Sequence, residues 1–321
     1  MNNREPGLFA RLFVAVQQVL PQHFLSLLMY GLARVEWAPV RIPLVWLFVR
    51  LTGIRMDEAA HPNLGHYPHL NALFTRVLRP GLRPLDPDPE SVVSPVDGIL
   101  SQIGVIEDGK LVQAKGHHYA LRDLLGIPTE ERSAFDGGAF ATLYLSPKDY
   151  HRIHMPLGGD LAQMRHLDGR LFSVNAVTAS LIPGLFARNE RVVCLFESNA
   201  GPMAMVLVAA IFVGGIDTVW AGRVTPAARG GSQQRWSYDR GANRVRLDRG
   251  AEMGRFNLGS TVILLFPPGT VTWDTDLGPG SPVRVGQRIG RCNSAPTDRA
   301  IHRSELYPPP SARRAGLFLI E

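Results

Sequence analysis

From residue 94 onward the chain is written in short runs of β-branched, aromatic and aliphatic residues, each closed off by glycine or proline. That rhythm limits the fold more than any other feature. Residues 99–106, 139–145, 192–196, 203–213, 262–266 and 282–289 all have strand length and strand composition. Their spacing argues a compact β-rich core with few helices. A different pattern precedes it, so the expected fold class is α+β: N-terminal amphipathic helices followed by a β-rich core.

Residues 7–56 are the most apolar region and read as three short helices. One covers about 8–20 and stops at Pro21, a second covers 24–32, and a third covers 42–51 with Pro43 in its first turn. None offers the run of about 20 apolar residues that a bilayer-spanning helix needs. Arg11, Arg34, Arg41, Arg50 and Arg55 are scattered through them, against Glu5 and Glu36. Cationic, aromatic-containing helices of this kind lie in a membrane interface; a helical cap packed on the main domain is the competing reading. Gln17-Gln18 and Pro21 interrupt the apolar run and no small-x-small site follows, which argues against a cleaved signal peptide. Residues 57–93, rich in Pro, His and Asp, read as a linker passing one short helix at 70–78. The core then occupies 94–321. Within it, 283–290 resembles a hairpin of the barrel-sandwich kind found in biotinyl and lipoyl carrier domains. Residues 226–250 read as an exposed loop or mobile hairpin, 308–314 as a loose tail, and 317–320 as a last strand.

The 321 residues carry a net charge of +6, with a sequence pI near 9.7. A basic chain without a nucleic-acid module points to an anionic membrane surface. Cys194 and Cys292 are too few for a disulfide framework and lack zinc-type spacing, so they read as buried thiols in a reducing compartment.

Chemistry concentrates at residues 256–266. Gly259-Ser260-Thr261 opens an apolar run. One reading is the start of a buried strand. The other is a self-processing site, in which a serine after a residue without Cβ turns its Oγ back onto the Gly259 carbonyl. Asp97 stands in Pro95-Val96-Asp97-Gly98, a turn before a strand, where an Asx turn alone would explain it. His151 and His154 stand three apart. Helical spacing would put them on one face, but no H-E-x-x-H motif accompanies them, so no metal site is expected. Together Asp97, His154 and Ser260 supply an acid, an imidazole and a hydroxyl, the components of an activated serine.

Ser94-Pro95-Val96-Asp97-Gly98, Tyr150-His151-Arg152-Ile153-His154-Met155-Pro156 and Leu258-Gly259-Ser260-Thr261 are spaced motifs. With Lys115-Gly116, Ser173-Val174-Asn175, Arg188-Asn189-Glu190-Arg191 and Val213-Gly214-Gly215-Ile216 between them, the set resembles the pyruvoyl-dependent phosphatidylserine decarboxylases of bacterial membranes. His117-His118 does not fit that pattern. The resemblance implies that Ser260, with His154 as base and Asp97 behind it, attacks the Gly259 carbonyl and shifts the acyl group from nitrogen to oxygen. β-Elimination then releases a carboxylate at Gly259. Hydrolysis of the resulting dehydroalanine, by way of its imine, gives ammonia and an N-terminal pyruvoyl group at 260. The pieces 1–259 and 260–321 stay associated, and a homodimer is compatible with the pattern. In turnover a Schiff base between the pyruvoyl ketone and the substrate amine drains electrons from Cα, and His151 returns a proton there. Lys115 is a candidate phosphate contact. Phosphatidylserine and an anionic membrane surface are the implied partners, with the enzyme peripheral on the cytoplasmic side of the cell membrane. Two other classes use the same residues differently: a serine hydrolase with an intact chain, and a non-catalytic membrane-surface carrier or binding module. The absence of a G-x-S-x-G elbow counts against the hydrolase.

Overall fold

The computed structural model of the chain describes residues 7–114, 116–127, 133–212, 215–225, 234–238, 243–257 and 259–293. Three helices, α1 (Leu8–Val19), α2 (Gln22–Leu32) and α3 (Ala38–Thr52), open the chain and a strand-rich core follows. The α+β expectation therefore holds at the level of class. Among the described residues the strands form open sheets of nine, four, three and two strands, and none closes into a barrel.

The first helix is amphipathic in an unusual sense. Leu8, Phe9, Leu12, Phe13, Val16 and Val19 face outward, while Gln17 is buried. Gln17 Oε1 accepts from the Ser173 N–H at 2.8 Å, and Gln22 Oε1 accepts from the Leu171 N–H at 2.8 Å. The glutamines that break the apolar run are thus the anchors that fasten α1 and α2 to residues 170–173. Among the described residues no single helix is long and apolar enough to cross a membrane; α1 and α2 together reach the required length and hydropathy but meet at 89°.

The third helix starts earlier than expected, at Ala38, so Pro43 lies in its interior rather than its first turn. Pro39 takes the first-turn position instead, where the missing N–H costs nothing. The short helix expected at 70–78 ends at Phe74. It packs Leu70 and Leu73 with Ala33, Val45 and Tyr67 in a small apolar cluster.

The nine-stranded sheet carries the core. Its centre is the strand Ser260–Phe266, buried throughout and paired antiparallel with Gly201–Ala209 and Ala139–Leu145. A smaller sheet orders Gly222–Thr225, Ile216–Thr218, Glu252–Phe256 and Arg152–His154. Among the connections that run between these two sheets are 146–151, 210–215 and 257–259. Leu145 and Ala209, the last residues of their strands, both lie opposite Ser260, the first of its own. All three crossings therefore leave the large sheet at one corner, and the candidate site lies at that seam.

Two sequence expectations need correction. Residues 283–290 do not form a hairpin: Val283 pairs with Gly98, whereas Gly290 pairs with Val92 and Trp273 in a separate sheet. Nor is 226–250 a loop throughout, because Gln234–Ser237 and Arg246–Leu247 both add to the strand Gly159–Leu167. Both cysteines are free; Cys194 is buried as expected, while Cys292 is only partly so. The readings at Lys115, Val213-Gly214, Leu258, 308–314 and 317–320 fall outside the described residues.

Candidate active site

Ser260 is fully buried, and its Oγ has no hydrogen-bond partner. A buried hydroxyl is normally satisfied, because leaving it unpaired costs about 1–3 kcal/mol. Gly259, immediately upstream, has φ +57°, a left-handed conformation that residues with a side chain avoid. A Cβ there would meet nothing within 4 Å, so backbone conformation rather than crowding selects glycine.

His151, at the end of the 146–151 crossing, is also fully buried. Its Nδ1 lies 2.9 Å from the Asp149 carbonyl, and its ring packs on Phe74 with centroids 4.0 Å apart. A carbonyl only accepts, so Nδ1 carries the proton and Nε2 presents a bare lone pair with no partner. Burial pushes the imidazole down to about 3, with the Asp149 carbonyl opposing and the Arg76 charge adding to the shift. The backbone ties this crossing to the other: Phe256 N–H donates to the His151 carbonyl at 3.0 Å, and Ser260 pairs with Leu145. Segments 145–151 and 256–260 are thus joined at both ends. One carries an unpartnered acceptor and the other an unpartnered hydroxyl.

His154 is the third residue of the strand Arg152–His154, not part of a helix, so the shared face that a helix would give the two histidines does not exist. Its N–H donates to the Pro95 carbonyl at 2.8 Å, which places it beside the Asp97 turn. Nδ1 lies 2.8 Å from the Gly250 carbonyl, leaving Nε2 to accept from the Tyr150 hydroxyl at 3.2 Å. Burial lowers its pKa, against the Gly250 hydrogen bond. Tyr150 is itself buried, and desolvation pushes its phenol up to about 12, so it stays a donor.

Asp97 does not touch His154. Arg83 Nε donates to its two oxygens at 2.9 and 3.0 Å, and the Val285 N–H donates to Oδ1 at 2.9 Å. The same guanidinium reaches Glu58 at 2.6 Å. Arg83 is raised chiefly by its Asp97 hydrogen bond, whereas Glu58 is lowered overall because Arg83 outweighs burial. Tyr150 closes the neighbourhood by packing with Leu78 and Val285. Asp97, Tyr150 and His154 therefore lie in one neighbourhood, linked through Val285 and Pro95, but no hydrogen bond joins Asp97, His154 and Ser260 to one another. Sequence reasoning missed Arg83 and Tyr150. The first sat in an Arg-Pro-Gly-Leu-Arg-Pro stretch read as part of the linker, and the second stood within the histidine motif with no role assigned.

One further cluster lies outside this site. His166, Asp168 and Glu190 bring one ligand atom each within 4.8 Å of one another, with His166 Nε2 2.9 Å from Glu190.

The family model described as Phosphatidylserine decarboxylase matches residues 70–291, and a second, described as PSD, matches residues 12–53. A protein named phosphatidylserine decarboxylase proenzyme from Stutzerimonas stutzeri is 52% identical over 282 residues, covering 88% of this chain and 94% of that protein. Proteins of the same name from Azotobacter vinelandii and Nitrosococcus oceani are each 51% identical. They cover 88% and 87% of this chain, and 99% and 90% of their own lengths. The chain belongs to the phosphatidylserine decarboxylase family.

Proposed function

We propose that this chain is a self-processing proenzyme that removes the carboxylate of phosphatidylserine to give phosphatidylethanolamine and carbon dioxide. The observation that carries this reading is the buried, unpartnered Ser260 Oγ placed directly after a left-handed Gly259. A hydroxyl held against its own upstream carbonyl reacts intramolecularly, and alignment of that kind is worth roughly 7–11 kcal/mol over a bimolecular attack.

Attack on the Gly259 carbonyl needs a group to take the Ser260 proton. His154 is the residue that the family motif implies, with Asp97 behind it, and it serves once the Tyr150 hydroxyl releases its Nε2. His151 has its Nε2 free as it stands, and that lone pair supports a second reading in which His151 also draws the serine proton. Asp97 acts through Arg83 and the Val285 N–H, fixing the wall on which Tyr150 and His154 sit. The pyruvoyl group left at position 260 supplies an electron sink for decarboxylation when the substrate amine is bound. His151, packed against Phe74, is the proton donor the family motif implies; its bare Nε2 first takes a proton from solvent and then passes it to the carbon that has lost carbon dioxide, because the ring's own N–H is bound to the Asp149 carbonyl.

Residues 1–56 form the membrane-association segment, and the enzyme works peripherally at the cytoplasmic face of the cell membrane. The outward apolar side of α1 and α2 supports this placement.

Intact-mass measurement tests the reading. Purified protein is expected to give two pieces divided at 259/260, the smaller with a ketone in place of its amino terminus, and to release carbon dioxide from phosphatidylserine. An unbroken 35.3 kDa chain after prolonged incubation overturns it. Ser260→Ala leaves the chain whole. His154→Ala and His151→Ala, compared for cleavage, assign the base.

A further inference from the structure

The four-stranded sheet carries a lateral row of charge. Arg223, Asp217, Arg255 and Arg152 are register partners on its successive strands. Side chains directly opposite on neighbouring strands share one face, so like charges there repel unless something intervenes. Asp217 compensates Arg255, at 3.1 Å. The turn after helix α2 adds a third guanidinium to that end of the row: Arg34 lies over the Tyr30 ring at 3.6 Å, and Arg223 donates to the Tyr30 hydroxyl at 2.8 Å. Between them is a cavity of about 550 Å³ lined by Tyr30, Arg34, Asn71, Asp217, Arg223 and Arg255.

Three guanidiniums thus face one carboxylate. Arg34 is half-buried and its pKa is lowered, first by desolvation, with Arg223 and Arg255 adding repulsion. An anion bound in the cavity would relieve that repulsion. The cavity also leads somewhere. Asn71 in its wall donates to Asn257 Oδ1 at 2.9 Å, and Asn257 stands three residues before Ser260. Three residues of extended chain span at most about 10 Å. On the outer side, α2 exposes Phe24, Leu27, Leu28 and Leu32, and the exposed Phe212 is held at φ +65° with its N–H on Ser26 Oγ.

We propose that this cavity is the phosphodiester subsite. The lipid phosphate sits among Arg34, Arg223 and Arg255, the acyl chains leave along the apolar rim of α2, and the serine amine points past Asn71 and Asn257 to residue 260. Four covalent bonds, about 5 Å when extended, separate the phosphorus from the amine nitrogen in phosphatidylserine, so the subsite has to border the reacting corner directly. This assignment rests on the phosphatidylserine reading above.

The test uses matured enzyme and the variants Arg34→Gln, Arg223→Gln and the pair together, assayed on phosphatidylserine in neutral detergent micelles. Replacing a charge-assisted contact is expected to raise KM about ten- to a hundred-fold with kcat little changed. Cleavage at 259/260, followed by intact mass, is expected to stay complete. Inorganic phosphate is expected to compete with the lipid in the wild type and to lose potency in the double variant. Unchanged KM in the double variant overturns the subsite. So does inhibition by phosphate that is not competitive with the lipid, because a free anion would then be the occupant. A KM rise that mere surface attraction explains, equal for the distant pair Arg244→Gln/Arg246→Gln, overturns it too. A wild-type enzyme that matures but releases no carbon dioxide refutes the substrate reading instead, so the two failures are distinct.

Discussion

The burial of His151 makes a quantitative claim about pH. Its imidazole is held down to about 3 in the folded protein, against about 6.5 in an unfolded chain. Between those values the unfolded state binds more protons than the folded one, so stability rises with pH and falls as pH drops through 6.5. The loss continues until about pH 3. At pH 5 the group sits 1.5 units below its unfolded value, which at 1.36 kcal/mol per unit is about 2 kcal/mol of lost stability; at pH 7 the loss is close to zero. The Ser260→Ala precursor gives a single uncut chain on which to measure this. Denaturant midpoints at pH 7 and pH 5 are compared with those of Ser260→Ala/His151→Gln, in which the side chain cannot titrate. Other titrating groups, His154 included, are common to both proteins and cancel in the double difference. The non-titrating variant is expected to lose about 2 kcal/mol less between pH 7 and pH 5. Equal losses in the two proteins refute the reasoning. They would mean that His151 takes up its proton in the folded state as readily as in water, and its Nε2 would then not be a bare acceptor at the seam.

Arg83→Met leaves buried Asp97 with the Val285 N–H and no guanidinium, while Glu58 keeps Arg55 at 2.8 Å; it is expected to cost about 3–5 kcal/mol in chemical denaturation, with Asp97→Asn restoring part of the loss. Gly259→Ala has room for its methyl group but must hold φ +57°; it is expected to lose about 1–2 kcal/mol and to cleave more slowly, read as band intensities over time. Gly98→Ala would put a Cβ 2.2 Å from the Tyr144 carbonyl oxygen in the central sheet, and is expected to yield insoluble precursor in an expression and solubility assay. Phe9→Ser/Leu12→Ser/Phe13→Ser leaves Gln17 in place; vesicle co-sedimentation is expected to fall by about two orders of magnitude with folding changed little.

Much of the architecture is legible because the relevant residues carry the signal themselves. The strand Ala139–Leu145 is apolar apart from Thr142, and its bounds match those read from the sequence; Pro21 does separate two helices. The strand Gly159–Leu167 was invisible for a physical reason. Its buried Gln163, Arg165 and His166 look like surface residues in sequence, yet Arg165 donates to Gln163 and His166 Nε2 meets Glu190, so much of their polarity, though not His166 Nδ1, is satisfied inside the fold. The site divides in the same way. Ser260 after Gly259 and the two histidines stand out as local motifs. The partner of Asp97 does not, because Arg83 reaches it only once the chain has folded back across the Asp97 turn. A chain order of Asp, His and Ser suggests a relay, but nothing in that order distinguishes a carboxylate bound to imidazole from one bound to guanidinium.

The first two helices join these observations. A helix that buries glutamine and exposes phenylalanine is poorly built for water alone, and removing it would leave the Leu171 and Ser173 N–H groups without partners, at about 1–3 kcal/mol each. The segment is therefore part of the fold as well as a surface for something apolar. Its second helix supplies Tyr30, and the turn after it Arg34, to the cationic cavity, whose wall includes Asn71, bonded to Asn257. An apolar face, a cluster of guanidiniums and a buried reacting corner are thus linked through Tyr30, Asn71 and Asn257, and the subsite proposed above would use them in that order. A soluble amino acid would need only the last of these; a lipid with an anionic head and an amine beyond it needs all three in that order.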